Sequence, residues 1–137
     1  IRDSHIGVGY VKGYSLKSGA VATSVAHDSH NIITVGCNDD DIAVAVNAIK
    51  DSKGGIAVVE NGKIKALLEL PIAGLMSDEP LTTVNEKLEN AKLSAYELGA
   101  DKSIDPFMTL SFLSLPVIPS LRITTKGVFD AENWKML

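Results

Sequence analysis

Large and small side chains alternate along the first part of the chain, and a period of two is typical of β-strands. The alternation runs over residues 7–14, where one face is mostly glycine, and over residues 20–26, where one face is alanine and serine. Residues 32–35 form a short continuous apolar run, which predicts a strand covered on both faces. We therefore predict three strands, two of which have a thin face that another backbone, a helix or a flat ligand can approach closely.

The middle of the chain changes to the helical period of about 3.6 residues. Apolar residues recur at this spacing over residues 42–49, after the capping and acidic run 38–41 and before a pair of glycines. This pattern predicts a helix with a strong N-terminal cap and a defined C-terminal end. Residues 81–98 predict a long amphipathic helix, and a further helix is predicted to begin at Asp105-Pro106 and to end before Pro116.

Asn61-Gly62 lies between two strand-like runs and predicts a hairpin, because both turn positions require a positive φ. Short final strands are predicted at residues 121–124 and 128–129. This order of elements predicts an α+β fold, with a mixed β-sheet covered by two or three helices and one β-α-β crossover between residues 32 and 59. The alternative is a layered α/β sandwich.

The composition limits the possible classes of protein. A chain of 137 residues with 45% hydrophobic and 22% charged residues predicts one globular domain, residues 1–137. The net charge is −4 without a basic block, which disfavours a nucleic-acid partner. No apolar run approaches the roughly eighteen residues of a membrane span. Because the chain opens on Ile-Arg-Asp without Met, we expect it to be a piece of a longer polypeptide or a processed product.

The densest polar cluster is the stretch from Ser24 to Asn31, which lies between two predicted strands. His27, Asp28 and His30 stand within four positions of one another, and such a group can bind a metal, transfer protons or hydrogen-bond a heterocycle. A solvated turn, whose polar side chains bond their own backbone, is an equally weighted interpretation.

Other site motifs are excluded or incomplete. The glycines at positions 7, 9 and 13 have the wrong spacing for a dinucleotide fingerprint and lie within a predicted strand rather than in a strand-to-helix turn. The chain has three histidines and one cysteine, too few to assemble a two-metal hydrolytic site or a thiolate cage. Met76, Met108 and Phe112 can line an apolar pocket together with Phe107, although core packing is the favoured use of these side chains.

Six longer blocks of the sequence form a recognisable set: Gly7–Tyr14, Leu16–Ala20, Ser24–Ile32, Val35–Asp39, Leu70–Asp78 and Asp105–Pro119. Together these blocks resemble the carboxy-terminal domain of the microbial adenine deaminases, which are metal-dependent amidohydrolases. The resemblance extends over nearly the whole chain.

The resemblance implies a role in the hydrolysis of adenine to hypoxanthine and ammonia in purine salvage. It implies a cytoplasmic enzyme whose divalent metal, manganese or iron, is bound outside this chain by an amidohydrolase barrel of the same polypeptide. We then expect adenine as a partner of the complete enzyme, and a homo-oligomer.

On this interpretation, the chain itself contributes no metal ligand. His27, Asp28 and His30 are predicted to orient adenine or transfer protons at the mouth of the active site, and Ser24 and Asn31 to contact the substrate. The alternative is a structural or oligomerisation domain without a direct role in catalysis.

Overall fold

A four-stranded sheet is the centre of the computed structural model, which describes residues 5–137. Its strands are β1 (Ala20–Thr23), β2 (Ile33–Gly36), β3 (Gly55–Glu60) and β4 (Lys63–Glu69), in the spatial order β2-β1-β3-β4. Strand β1 pairs antiparallel with both β2 and β3. As a result, β2 and β3 run in the same direction on either side of β1. The predicted crossover therefore exists, but it joins strands that are not neighbours, and every hydrogen-bonded pair in this sheet is antiparallel.

Helices cover both faces of this sheet, which confirms the predicted α+β fold. The helices are α1 (Asp39–Asp51), α2 (Leu81–Glu97) and α3 (Pro106–Leu113). Helix α1 packs on the thin face of β1, where Ala20 and Ala22 meet Ala45, so the small side chains predicted from the alternation accommodate a helix. Val21 belongs to the other core, formed with α2 and α3. None of the helices within residues 5–137 combines the length and the apolar character needed to cross a bilayer.

The predicted hairpin turn is present and is tied to helix α1. Asn61 and Gly62 both have positive φ, at 52° and 72°, as a two-residue turn of this type requires. The Gly62 N–H donates to Oδ1 of Asp41 at 2.7 Å, and Nδ2 of Asn38, the N-cap of α1, donates to the other carboxylate oxygen at 2.8 Å. These two hydrogen bonds, the one from Asn38 first, hold the pKa of Asp41 below its ordinary value.

A second, smaller sheet closes the chain. It contains β5 (Leu121–Thr124), β6 (Gly127–Asp130) and β7 (Lys135–Met136), in that order. The first two were predicted, whereas β7 was not. Its two residues are too few to form a sequence pattern.

The strand predicted at residues 7–14 is wrong, because this segment joins neither sheet. The segment instead packs against the β5-β6 hairpin, where a Cβ at Gly9 would meet the side chains of Ile123 and Val128. A Cβ atom at Gly7 would lie 1.7 Å from the carbonyl oxygen of Thr124. The glycines therefore serve close packing, as the alternation indicated, but without sheet hydrogen bonds.

We expect Gly19→Ala to lower the free energy of unfolding by about 2–4 kcal/mol, because it adds a backbone clash to left-handed strain. Gly19 has φ 71°, and its Cβ would lie 2.3 Å from the carbonyl oxygen of Val59. Gly62 has nearly the same φ, 72°, with no atom within 4 Å of the added Cβ. Gly62→Ala is therefore the matched control and should cost about 1 kcal/mol. Urea denaturation measures both, and equal losses would contradict the close approach of β3 to Gly19.

Candidate functional site

Three segments meet at one edge of the large sheet. Strands β1 and β4 both run opposite to β3, so their C-terminal ends lie at the same edge. The His–Asp loop, residues 24–31, follows β1, and the second loop, residues 71–77, follows β4. The C-terminal end of α3 contacts the His–Asp loop through Phe112 and Ser114. The topology of the sheet thus collects at one place segments that are distant in sequence.

The buried hydroxyl group of Ser24 joins the two loops and the start of β3. Its Oγ accepts a hydrogen bond from the Gly55 N–H at 2.8 Å and donates to the carbonyl oxygen of Gly74 at 2.6 Å. The side chain is thereby paired with backbone groups on both sides. Strand β1 ends here rather than at residue 26, the end of the predicted alternation, because the chain turns out of the sheet at Ser24.

The turn of the His–Asp loop brings its two imidazoles together. The His30 N–H donates to the carbonyl oxygen of Ala26 at 2.7 Å, and the Ala26 N–H donates to Nδ1 of His30 at 3.3 Å. His30 adopts φ 49°, in the left-handed region. The ring centroids of His27 and His30 are 5.7 Å apart. Both rings are half-buried, whereas Asp28 is exposed.

Helix α3 holds His27 from the other side. The hydroxyl of Ser114 donates to the carbonyl oxygen of His27 at 3.1 Å, and the ring of Phe112 lies 5.6 Å from the imidazole, centroid to centroid. Asn31 is exposed and donates from Nδ2 to the hydroxyl of Ser29 at 3.3 Å. The structure therefore groups His27 and His30 beside an aromatic ring and leaves Asp28 and Asn31 facing solvent. The side chain of Ser24, by contrast, is turned into the protein.

The sequence interpretation placed one group of apolar side chains incorrectly. Phe107 is buried, as core packing predicts, but Met76, Met108 and Phe112 are exposed. Met108 and Phe112 are four positions apart and so share one face of α3, opposite the inner face of Phe107 and Leu110. This spacing was the sequence signal that could have placed Met108 and Phe112 on the outer face of the helix. These two residues give the candidate site an apolar border beside the histidines.

An ion pair and a helix cap fix the position of α3. Asp105 is the N-cap of this helix and accepts from the N–H groups of Phe107 at 3.0 Å and Met108 at 2.9 Å. Its other oxygen lies 3.2 Å from Nζ of Lys92 on α2. Partial burial raises the pKa of Asp105, but the hydrogen bonds and the ammonium group outweigh it, so the net pKa lies below its ordinary value.

Comparison with known proteins gives the family of this arrangement. The family model described as the adenine deaminase C-terminal domain matches residues 2–135. The chain belongs to this family. The domain is 55% identical to the adenine deaminase of Desulfatibacillum aliphaticivorans over 128 residues, which are 93% of this chain and 22% of that protein. It is 51% identical to the adenine deaminase of Bacillus pumilus over 134 residues, or 98% of this chain and 23% of that protein.

A third relative shows the same proportions. The adenine deaminase of Clostridium acetobutylicum is 51% identical over 137 residues, covering 99% of this chain and 24% of that protein. The domain thus spans about a quarter of the length of the relatives that it matches. The resemblance seen in the sequence blocks is confirmed, and what the complete relatives do reaches this chain as a proposal.

The residues at the candidate site do not fit a hydrolytic metal centre. Within residues 5–137 no three side chains of the His, Cys, Asp or Glu type converge on one point. Nδ1 of His30 already accepts the Ala26 N–H, and His27 with His30 gives only two imidazole ligands, whereas a catalytic zinc site typically has three protein ligands.

Ser24→Ala should destabilise the domain by about 1–3 kcal/mol, because the buried Gly55 N–H and Gly74 carbonyl lose their common partner. Ser29→Ala is the control at an exposed hydroxyl of the same loop and should stay within about 0.5 kcal/mol of the parent. Chemical denaturation measures both differences. A loss of less than about 0.5 kcal/mol for Ser24→Ala would mean that the hydroxyl does not hold the two loops.

The stability contributed by the Asp105 carboxylate should depend on pH. The pKa of Asp105 is lower in the folded protein than in the unfolded chain. The contribution is therefore complete above the pKa of the unfolded chain, about 3.9, and is lost as the pH falls through the pKa of the folded protein. Asp105→Asn keeps a capping oxygen but has no charge to titrate. The difference in unfolding free energy between parent and variant should therefore shrink between about pH 5 and pH 2. A difference that stays constant over this range would contradict the assignment.

Proposed function

We propose that this domain is the C-terminal part of an adenine deaminase, which hydrolyses adenine to hypoxanthine and ammonia in the cytoplasm. The observation that supports the proposal most strongly is the similarity to proteins named adenine deaminase, which is 51–55% over nearly the whole chain in the relatives described above. Because the chain spans about a quarter of those proteins, the other three quarters also contribute to the activity in this proposal. We assign the metal, manganese or iron, and the hydrolytic step to a barrel in that remainder.

The His–Asp loop is proposed to lie at the mouth of the active site. A neutral imidazole donates at one nitrogen and accepts at the other, and a carboxylate accepts only. His27 and Asp28 thus offer complementary groups to the edge of a purine, which carries both ring nitrogen acceptors and an amino donor. His30, whose Nδ1 accepts the Ala26 N–H, adds a donor at its Nε2. These side chains would orient adenine or carry protons to and from it. Asn31, which is exposed, would add a further hydrogen bond.

The apolar border supports a flat heterocycle as the ligand. The ring of Phe112 lies beside His27, and the exposed thioether of Met108 shares its helix face. An aromatic ring and a polarisable sulfur pack well on the face of a purine. The hydrogen-bonding groups of the loop would then contact the edge of the base, while Phe112 and Met108 contact its face. Ser24 would act through the loop that it anchors.

Substitutions in the complete enzyme test this role. His27→Ala or Asp28→Asn should lower kcat/KM for adenine at least tenfold, about 1.4 kcal/mol in the barrier, because an orienting or proton-carrying group is lost. Asp51→Asn, at an exposed position at the end of α1, is the matched control and should leave kcat/KM unchanged. Release of ammonia from adenine is the measurement.

Unchanged kinetics in both loop variants would favour the alternative of a structural or oligomerisation domain. The same assay contains a test of the broader proposal. If the complete parent enzyme released no ammonia from adenine with manganese or iron supplied, the assignment of the substrate would be wrong.

A further inference from the structure

Residues 6–10 present a row of apolar side chains that the described part of the chain leaves uncovered. Ile6 is 85% exposed, Val8 is 78% exposed and Tyr10 is fully exposed. Side chains two positions apart in an extended segment point to the same face, so these three residues form one row, which we call the apolar row. Contiguous exposed apolar groups of this kind mark contact surfaces in soluble proteins.

The face of the segment opposite the apolar row is formed by glycines that contact the β5-β6 hairpin. Gly7 lies so close to the hairpin that a Cβ there would be 1.7 Å from the carbonyl oxygen of Thr124. A Cβ at Gly9 would lie 3.2 Å from Val128 and 3.3 Å from Ile123. Only glycine permits this approach at position 7. The segment is therefore seated on the hairpin through its glycine face, and the apolar row points away from the hairpin.

The backbone of the segment is also available for pairing. Between residues 6 and 13 no backbone hydrogen bond reaches another part of the described chain. The first anchors follow at Tyr14, whose carbonyl accepts from the Asp101 N–H at 3.1 Å and whose hydroxyl donates to the carbonyl of Pro106 at 3.0 Å. An extended segment with unpaired backbone groups and an apolar face has the features by which strands are added to a neighbouring surface.

We infer that the apolar row docks onto the part of the full-length polypeptide that precedes this domain, as an extended strand against an apolar surface. This inference rests on the proposed function, because it takes the domain as part of the longer protein. The matched relatives are about four times as long as the chain, which covers 22–24% of them. The preceding part is continuous in sequence with the segment, so the junction keeps the two surfaces at a high effective concentration.

Hydrogen exchange in the full-length protein tests the docking. The amides of residues 6–10 should exchange at least tenfold more slowly than an unstructured peptide of the same sequence. A covered strand has its N–H groups paired or excluded from water. Exchange at the rate of the unstructured peptide would overturn the inference. Hydrogen exchange does not depend on catalysis. The docking can therefore fail this test while ammonia release still supports the proposed function, and the reverse.

Matched substitutions in the full-length protein give a second test. Val8→Ser and Tyr10→Ser should each lower the midpoint of thermal unfolding by about 2 °C or more and speed exchange at residues 6–10. Val117→Ser is the control, because Val117 is a similarly exposed valine, at 65%, in a turn outside the apolar row, and it should change neither quantity. Unchanged midpoints for both variants would contradict the docking. Loss of an oligomer by Val8→Ser, seen in sedimentation, would instead assign the surface to a second copy and overturn the inference.

Discussion

The arrangement of the candidate site depends on one buried hydroxyl group. Ser24 is the first residue after β1, and its Oγ pairs with backbone groups of Gly55 and Gly74. Gly55 begins β3 and Gly74 lies in the second loop. One side chain therefore connects the His–Asp loop, the second loop and β3 at one edge of the sheet. Without this pairing a buried donor and a buried acceptor would lack partners, which is more costly than the loss of an exposed hydrogen bond. The position of the His–Asp loop follows from this constraint.

A second constraint acts on the same loop from helix α3. The Asp105 cap and its ion pair with Lys92 set where this helix begins. The other end of the eight-residue helix contacts His27 through Phe112 and Ser114. The polar loop and the apolar border are therefore positioned by different elements, the sheet edge and the helix. This separation allows the loop to offer hydrogen-bonding groups while the helix offers a flat apolar surface.

The sequence predicts the large sheet and its helices well because their signals are local. The caps at Asn38 and Asp105 and the turn at Asn61-Gly62 are each fixed by the needs of a few neighbouring backbone groups. The alternation of large and small side chains wrongly predicted a strand at residues 7–14. Such alternation indicates how side chains divide between the two faces of a segment, but not whether a partner strand is present. The grouping of the two loops was also beyond the sequence, since it depends on the direction of β1 relative to β4.

We propose that residues 24–31 contact the purine in the complete enzyme. Hydrogen exchange of the full-length protein, measured with and without the product hypoxanthine, tests this contact. Exchange in residues 24–31 should be slower when hypoxanthine is bound, with no change in the β5-β6 hairpin, residues 121–130. Exchange in the His–Asp loop that is identical with and without saturating hypoxanthine would contradict it.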